Sequence, residues 1–333
     1  MMMSRRVTGR GRVSTLAALA AALASGCMLT GPTQPAAPGL ADAANAILAR
    51  QIVPAAPAVV PNPFDVDKPE ADGYVASYST KSRRTFDRAL IRGSRYLISM
   101  TDILAREGLP TQLAYLPLIE SGYRTHAVSH AGAAGPWQFI RRTGRLYGLR
   151  IDALVDERRD PIKSTEAAVR YLKTLHAMFG DWELSLAAYN VGEVRVTRLL
   201  DRGMPDYWTM RRHLPRETSE YVPRFLAALR IAQAPSDYGF ESPIHLDLRF
   251  ETVHVDRDLR LDTASALSGV PEAELIALNP ALRREITPRG YELRVPLGSA
   301  TPLRDALARY ATAGTAPDAA RLAIVEDCRT GRC

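Results

Sequence analysis

Residues 164–180 read STEAAVRYLKTLHAMFG, and they decide the fold class. Ala168, Tyr171, Leu172, Leu175, Met178 and Phe179 recur at three- and four-residue spacing, which places them on one face of an α-helix. Ser164 is a residue type that caps helix starts, and Gly180 is the type that ends them. Trp182 to Tyr189 begins a second helical run. Upstream, Phe86, Leu90, Leu97, Met100, Ile103 and Leu104 keep the same period from Ser82 until Gly108-Leu109-Pro110 closes it. No period-two alternation appears between residues 82 and 232, so residues 82–235 are expected to form an all-helical domain.

The character changes after Pro235. Phe250-Glu251-Thr252-Val253-His254-Val255 alternates like a strand, and Tyr291-Glu292-Leu293-Arg294-Val295-Pro296 reads as another. Between them lie two short helix-like runs, Leu261 to Leu267 before Gly269-Val270-Pro271 and Glu272 to Leu278 before Asn279-Pro280. Residues 236–300 are therefore expected to be a small α+β module, and residues 301–333 an Ala-rich tail.

The N-terminus carries an address. Arg5, Arg6, Arg10 and Arg12 precede an apolar stretch from Val13 to Leu23. That stretch is far short of the roughly twenty residues a membrane-spanning helix needs and has the proportions of a secretory signal. Ala24, Ser25 and Gly26 then lead to Cys27 in a pattern that resembles a bacterial lipobox. Residues 1–26 read as the signal peptide and Cys27 as the lipid attachment site, with cleavage near Ala24 and an unmodified Cys27 as the alternative. Residues 27–81, rich in Pro and Ala, read as a disordered or semi-extended tether.

The formal charge of the 333-residue chain is +7, but residues 1–26 hold four arginines and no acid, so +3 remains without them. That is too mild a balance to argue for nucleic acid. Cys328 and Cys333 would be left as a pair in an oxidising compartment, either bridged or free. No zinc-ligand set is present; His126 and His130 are four apart but lack a third ligand.

The residue that carries chemistry is Glu120, in Leu116-Pro117-Leu118-Ile119-Glu120-Ser121-Gly122-Tyr123. Apolar neighbours disfavour an ionised carboxylate and prepare a carboxyl that can donate a proton near neutral pH. The same spacing also suits a helix-terminal glutamate facing water or paired with Arg124. Pro117 is expected to kink the helix.

Four separated blocks together resemble the catalytic domain of the soluble lytic transglycosylases, close to the membrane-bound lytic murein transglycosylase D branch. They are Ile119 to Tyr123, Ala131 to Phe139, Ala187 to Gly192, and Glu217 to Pro223. The resemblance implies a mainly α protein in which a lysozyme-like helical catalytic domain precedes a small LysM-like module. It implies cleavage of peptidoglycan strands between N-acetylmuramic acid and N-acetylglucosamine, with a 1,6-anhydro product and Glu120 as the sole acid and base. By the same resemblance Ser129, Gln138, Tyr189, Asn190 and Tyr221 bind substrate. Ser129 would contact the N-acetyl group, Tyr189 would hydrogen-bond near Glu120, and Tyr221 would close the cleft. No metal or cofactor is implied.

A hydrolase on the same scaffold would need a second carboxylate, for which Asp156, Glu157, Asp160 and Asp181 are candidates. A non-catalytic wall-binding lipoprotein is a third reading. Trp137, Trp182 and Trp208 are candidates for stacking on sugar rings or for core packing. Residues 245–297 resemble a LysM-like module through Leu275 to Pro280 and Leu293 to Pro296, without its early glycine-aspartate turn. The lipobox resemblance, with Met28 after Cys27, implies a periplasmic protein anchored by lipid to the outer membrane.

Overall fold

The computed structural model describes residues 61–312. The segment read as a signal peptide, Cys27, Cys328 and Cys333 lie outside them. Chain order begins with helices α1 (Asp72–Ser79), α2 (Arg83–Gly93) and α3 (Leu97–Arg106), then a 3-10 turn at Thr111–Tyr115 and α4 (Leu116–Glu120). Next come α5 (Arg141–Leu146), α6 (Pro161–Phe179), α7 (Trp182–Val191), α8 (Glu193–Leu200), α9 (Tyr207–Met210) and α10 (Arg216–Gln233). The remainder is β1 (Glu251–Val255), β2 (Leu259–Arg260), α11 (Leu261–Ser268), α12 (Glu272–Leu278), β3 (Ile286–Thr287), β4 (Tyr291–Val295) and α13 (Ala300–Thr312).

The helix read at residues 164–180 starts three residues earlier, because Asp160 and not Ser164 caps it. The Asp160 carboxylate accepts from Ile162 N at 2.9 Å and Lys163 N at 3.0 Å, and Pro161 takes the first turn, where no amide partner is needed. Gly180 ends it in the left-handed region at φ 65°. Leu172 and Leu175 of α6, Leu186 of α7 and Phe225 and Leu226 of α10 are fully buried in one core. The run from Ser82 to Gly108 is two helices, broken where Gly93 faces Tyr123; a Cβ on Gly93 would lie 2.5 Å from that ring. Pro117 does not kink a helix: it occupies the first turn of α4, directly after the 3-10 turn.

The packed protein begins earlier than residue 82. Phe64 and Ala71 are buried in the helical core, and Phe64 meets Phe225 edge-on at 5.0 Å. Arg230 of α10 donates to the carbonyls of Val66 and Lys68 and pairs with Asp72 at 2.8 Å. Residues 61–81 are thus part of the helical unit and not tether; aromatic burial outweighs the prolines there.

In the second region β1 and β4 pair antiparallel with Val253 opposite Leu293. Two further two-residue strands, β2 and β3, pair with each other antiparallel as a separate sheet. Val253, Val255, Leu275, Leu293 and Val295 fill a separate core. α13 closes that core with Ala300 and Leu303, so the module extends past residue 300 into the segment read as tail. The helical region reaches into this core through Leu154 and Val155. The seam is fixed by Asp156 N donating to Ala281 O, Arg283 N donating to Leu154 O, and a buried Arg294–Asp160 pair at 2.8 Å. Among the described residues no helix is long and apolar enough to cross a membrane.

Candidate active site

Glu120 is the last residue of α4, and the chain turns sharply after it. Gly122 (φ 60°) and Tyr123 (φ 57°) both lie in the left-handed region. Tyr123 is held there by its hydroxyl, which donates to Ala114 O at 2.8 Å, and by its amide, which donates to Pro117 O at 3.2 Å. Buried Ser121 donates to Pro136 O at 2.9 Å, which ties the first sequence block to the second. That second block makes a tight turn against Arg158. Gly135 has φ 79°, and a Cβ there would sit 1.7 Å from the Arg158 carbonyl oxygen. Only glycine fits, for space as well as for backbone angle.

The Tyr221 hydroxyl of α10 donates to Glu120 Oε1. Glu120 lines an open cleft of about 490 Å³ together with Arg88, Arg92, Ser121, Gly122 and Arg224. Burial pushes the Glu120 carboxyl up to about 7, and the negative charge of Glu217 adds to this. Tyr221 and the Arg224 guanidinium act in the opposite direction. A carboxyl with this value holds its proton near neutrality yet can lose it. Burial and the nearby Glu120 charge likewise push the Tyr189 and Tyr221 hydroxyls well above their ordinary value. Both tyrosines are therefore hydrogen-bond donors here and not acids.

Tyr189 does not bond to Glu120. Its hydroxyl donates to Trp137 O at 2.8 Å, while its ring packs with Phe139 and Tyr171. Tyr221 makes the contact with Glu120 that sequence reading gave to Tyr189. Asn190 accepts from Thr218 Oγ1 at 2.7 Å and donates to Glu217 at 3.4 Å, so it joins α7 to the start of α10. Gln138 has φ 49° and donates to Gly135 O at 2.7 Å, in the strand of chain that Ser121 and Tyr189 both hold. Ser129 is exposed in a hairpin closed on Ala133, and it makes no hydrogen bond with Glu120. Arg124 does not pair with Glu120; its Nε donates to Ser121 O at 3.0 Å.

The other candidates have structural partners. Asp156 is bound by Arg158, Glu157 by Lys163, Asp160 by Arg294, and Asp181 caps α7. The carboxylate that acts on Glu120 is instead Glu217, which sequence reading passed over although it opens the fourth block. Trp137 is fully buried and donates to Thr165 at 2.8 Å; Trp182 stacks on His176 at 4.0 Å. Trp208 donates to Glu183 and meets Tyr207 edge-on. His126 and His130 lie in turn and loop structure, not on a helix face, and no metal-ligating cluster occurs among the described residues.

Residues 101–204 match the family described as Transglycosylase SLT domain, and residues 249–312 match that described as Lytic transglycosylase MltD, LysM-like domain. The chain is 34% identical over 227 residues to the membrane-bound lytic murein transglycosylase D of Escherichia coli, across 66% of this chain and 50% of that protein. It thus spans about half the length of that relative. A protein of an Alteromonas species named for tributyltin chloride resistance is 38% identical over 110 residues, 33% of this chain and 53% of its own. Among solved structures, the lytic transglycosylase Slt of Pseudomonas aeruginosa overlays with a TM-score of 0.36 at 23% identity, covering 44% of this chain and 24% of that one. The chain thus carries a Transglycosylase SLT domain followed by an MltD-type LysM-like domain, the two matches lying in succession along it.

Proposed function

We propose that the chain cleaves the β-1,4 bond between N-acetylmuramic acid and N-acetylglucosamine in peptidoglycan, with Glu120 as sole general acid and base. The observation that carries this reading is a carboxyl at the edge of an open cleft, held by one neutral donor and raised to about 7. The protonated carboxyl gives its proton to the glycosidic oxygen as that bond breaks. The N-acetyl oxygen of the muramic residue bonds to C1 and carries the positive charge, in place of a second carboxylate. Glu120, now ionised and stabilised by Tyr221, takes the proton from the C6 hydroxyl as O6 attacks C1 and displaces the acetamido oxygen. The 1,6-anhydro ring closes, Glu120 recovers its proton, and no water is consumed. Ser129, Gln138, Tyr189 and Asn190 bind the strand, and Tyr221 acts directly on the catalytic carboxyl.

A muramidase that hydrolyses the same bond is favoured by one observation, the Glu217 carboxylate beside Asn190, which could position a water. The relative is named membrane-bound, which supports a periplasmic, membrane-associated enzyme, with Cys27 lipidated and the outer membrane as its site. Sacculi digested by the chain and by Glu120→Gln decide the chemistry by mass spectrometry. Anhydro-muropeptides from the parent and none from the variant are expected. Reducing ends would establish the hydrolase, and no product from the parent would remove the enzyme reading.

A further inference from the structure

Three arginines beside Glu120 have no role in the chemistry just described. Arg88 and Arg92 lie one turn apart on α2, and Arg124 follows the Glu120-Ser121-Gly122 corner; all three line the Glu120 cleft. Arg92 and Arg124 also line an adjoining cleft of about 360 Å³ with Arg95 and His126. The corner itself orients two of them. Arg92 Nε donates to Gly122 O at 2.7 Å and Arg124 Nε to Ser121 O at 3.0 Å, which fixes each guanidinium plane and leaves its terminal nitrogens for another partner. None of the three joins an ion pair with any described residue. Elsewhere the buried guanidiniums of Arg158 and Arg294 both have carboxylates. Burial, then the charges of Arg124 and Arg88, hold Arg92 below its ordinary value, so the three cations repel one another. The one carboxyl in the cleft, Glu120, is protonated for much of the neutral range.

We propose that Arg88, Arg92 and Arg124 form a carboxylate-binding subsite that reads an acidic group on the glycan strand bound beside Glu120. Fixed guanidinium planes suit the two oxygens of a carboxylate, and an anion placed among them relieves their mutual repulsion. The proposal rests on the reading of the ligand as peptidoglycan. Two sources share the chemistry: carboxylates of the stem peptide, and the lactyl carboxylate of a muramic residue that has lost its peptide.

The test measures binding to the chain carrying Glu120→Gln, so that nothing is cleaved. The probes are a disaccharide-peptide with free carboxylates, the same compound with its carboxyls amidated, and a peptide-free muramyl oligosaccharide beside its methyl ester. We expect the free-acid form of one pair to bind about tenfold more tightly than its neutral form, the scale of one charge-assisted hydrogen bond. Which pair shows the preference names the source. Arg88→Gln with Arg124→Gln should erase the preference, and Arg88→Lys should retain part of it. The Arg88 side chain donates no hydrogen bond to a described residue, so Arg88→Gln alone serves if the double variant fails to fold. Equal binding of acid and neutral forms in both pairs overturns the subsite, as does an equal loss for both forms in the arginine variants. If the parent releases no product from sacculi while the preference stands, the enzyme reading fails and the subsite survives.

Discussion

The molecule buries carboxylates in two places and treats them in opposite ways. At the seam between the helical region and the C-terminal module, Asp156 receives two nitrogens of Arg158, at 2.9 and 2.7 Å, and Asp160 receives Arg294. Burial pushes Asp156 up, but the Arg158 hydrogen bonds and charge outweigh it and hold the group below the usual aspartate range. At the cleft, Glu120 is desolvated as well, but its hydrogen-bond partner is a neutral tyrosine, its neighbour Glu217 is negative, and the Tyr221 hydrogen bond and the Arg224 charge oppose burial without outweighing it. Desolvation alone therefore does not determine the state of a carboxyl here; the charge of the partner does. The seam uses paired charges for cohesion, and the cleft leaves one carboxyl unpaired with its proton free to move.

Removing a seam charge should have the largest effect. Asp160→Ala leaves Arg294 buried without its partner and removes the α6 cap, and is expected to cost about 3–5 kcal/mol in a denaturant titration. A loss under about 1 kcal/mol would mean the pair is solvated and the contrast is false. Glu120→Gln should act the other way. The parent's carboxyl has a folded value of about 7 against an ordinary 4.5. Its contribution is intact below pH 4.5 and is lost as pH rises to about 7. The variant lacks that loss, and by pH 8 should be more stable than the parent by up to about 3 kcal/mol. Coincident melting curves at pH 5 and pH 8 for both proteins would contradict this. Asp156 has the reverse dependence, its stabilisation being present above the ordinary aspartate value and lost as pH falls through the lowered one.

Tyr221→Phe sharpens the comparison at one atom pair. The tyrosine lowers the Glu120 value, so its loss should raise that value further. The alkaline limb of turnover should move up by about one pH unit, the scale of one hydrogen bond to a charged group. An unmoved limb would assign Tyr221 to packing alone. The smallest effect is expected at the exposed Lys173–Glu107 pair. Glu107→Ala should change stability by about 1 kcal/mol or less, and added salt should shrink the difference.

The helical region was legible because periodicity records which face is buried, and α6 and α7 follow from it almost residue by residue. The boundary at residue 82 was not, because Phe64 and Tyr78 are isolated aromatics whose burial depends on α10, more than 140 residues away in the chain. The Asp160 cap is a local signal, Asp160-Pro161 just ahead of the periodic run, that was passed over; its pairing with Arg294 is a long-range fact. At the site, the four blocks located Glu120 and its surroundings, but not which tyrosine touches the carboxyl. Tyr189 is half-buried and Tyr221 buried, both on helices packed into the core, and only the crossing of α10 over α4 separates donor from neighbour. Glu217 was missed for the same reason, since its influence comes through space from the start of α10.

The clamp that Arg230 places on Val66, Lys68 and Asp72 has a mechanical consequence. It fastens the entering chain to α10, the helix that also carries Tyr221 and Arg224. Tyr78, two turns of chain further on, accepts from Arg224 at 3.5 Å and lines the cleft itself. A pull on the chain upstream of residue 61 is therefore borne first by α10 and only then by the rest of the core. The element that takes up such tension also carries Glu217, Tyr221 and Arg224, the side chains that adjust the proton affinity burial gives to Glu120.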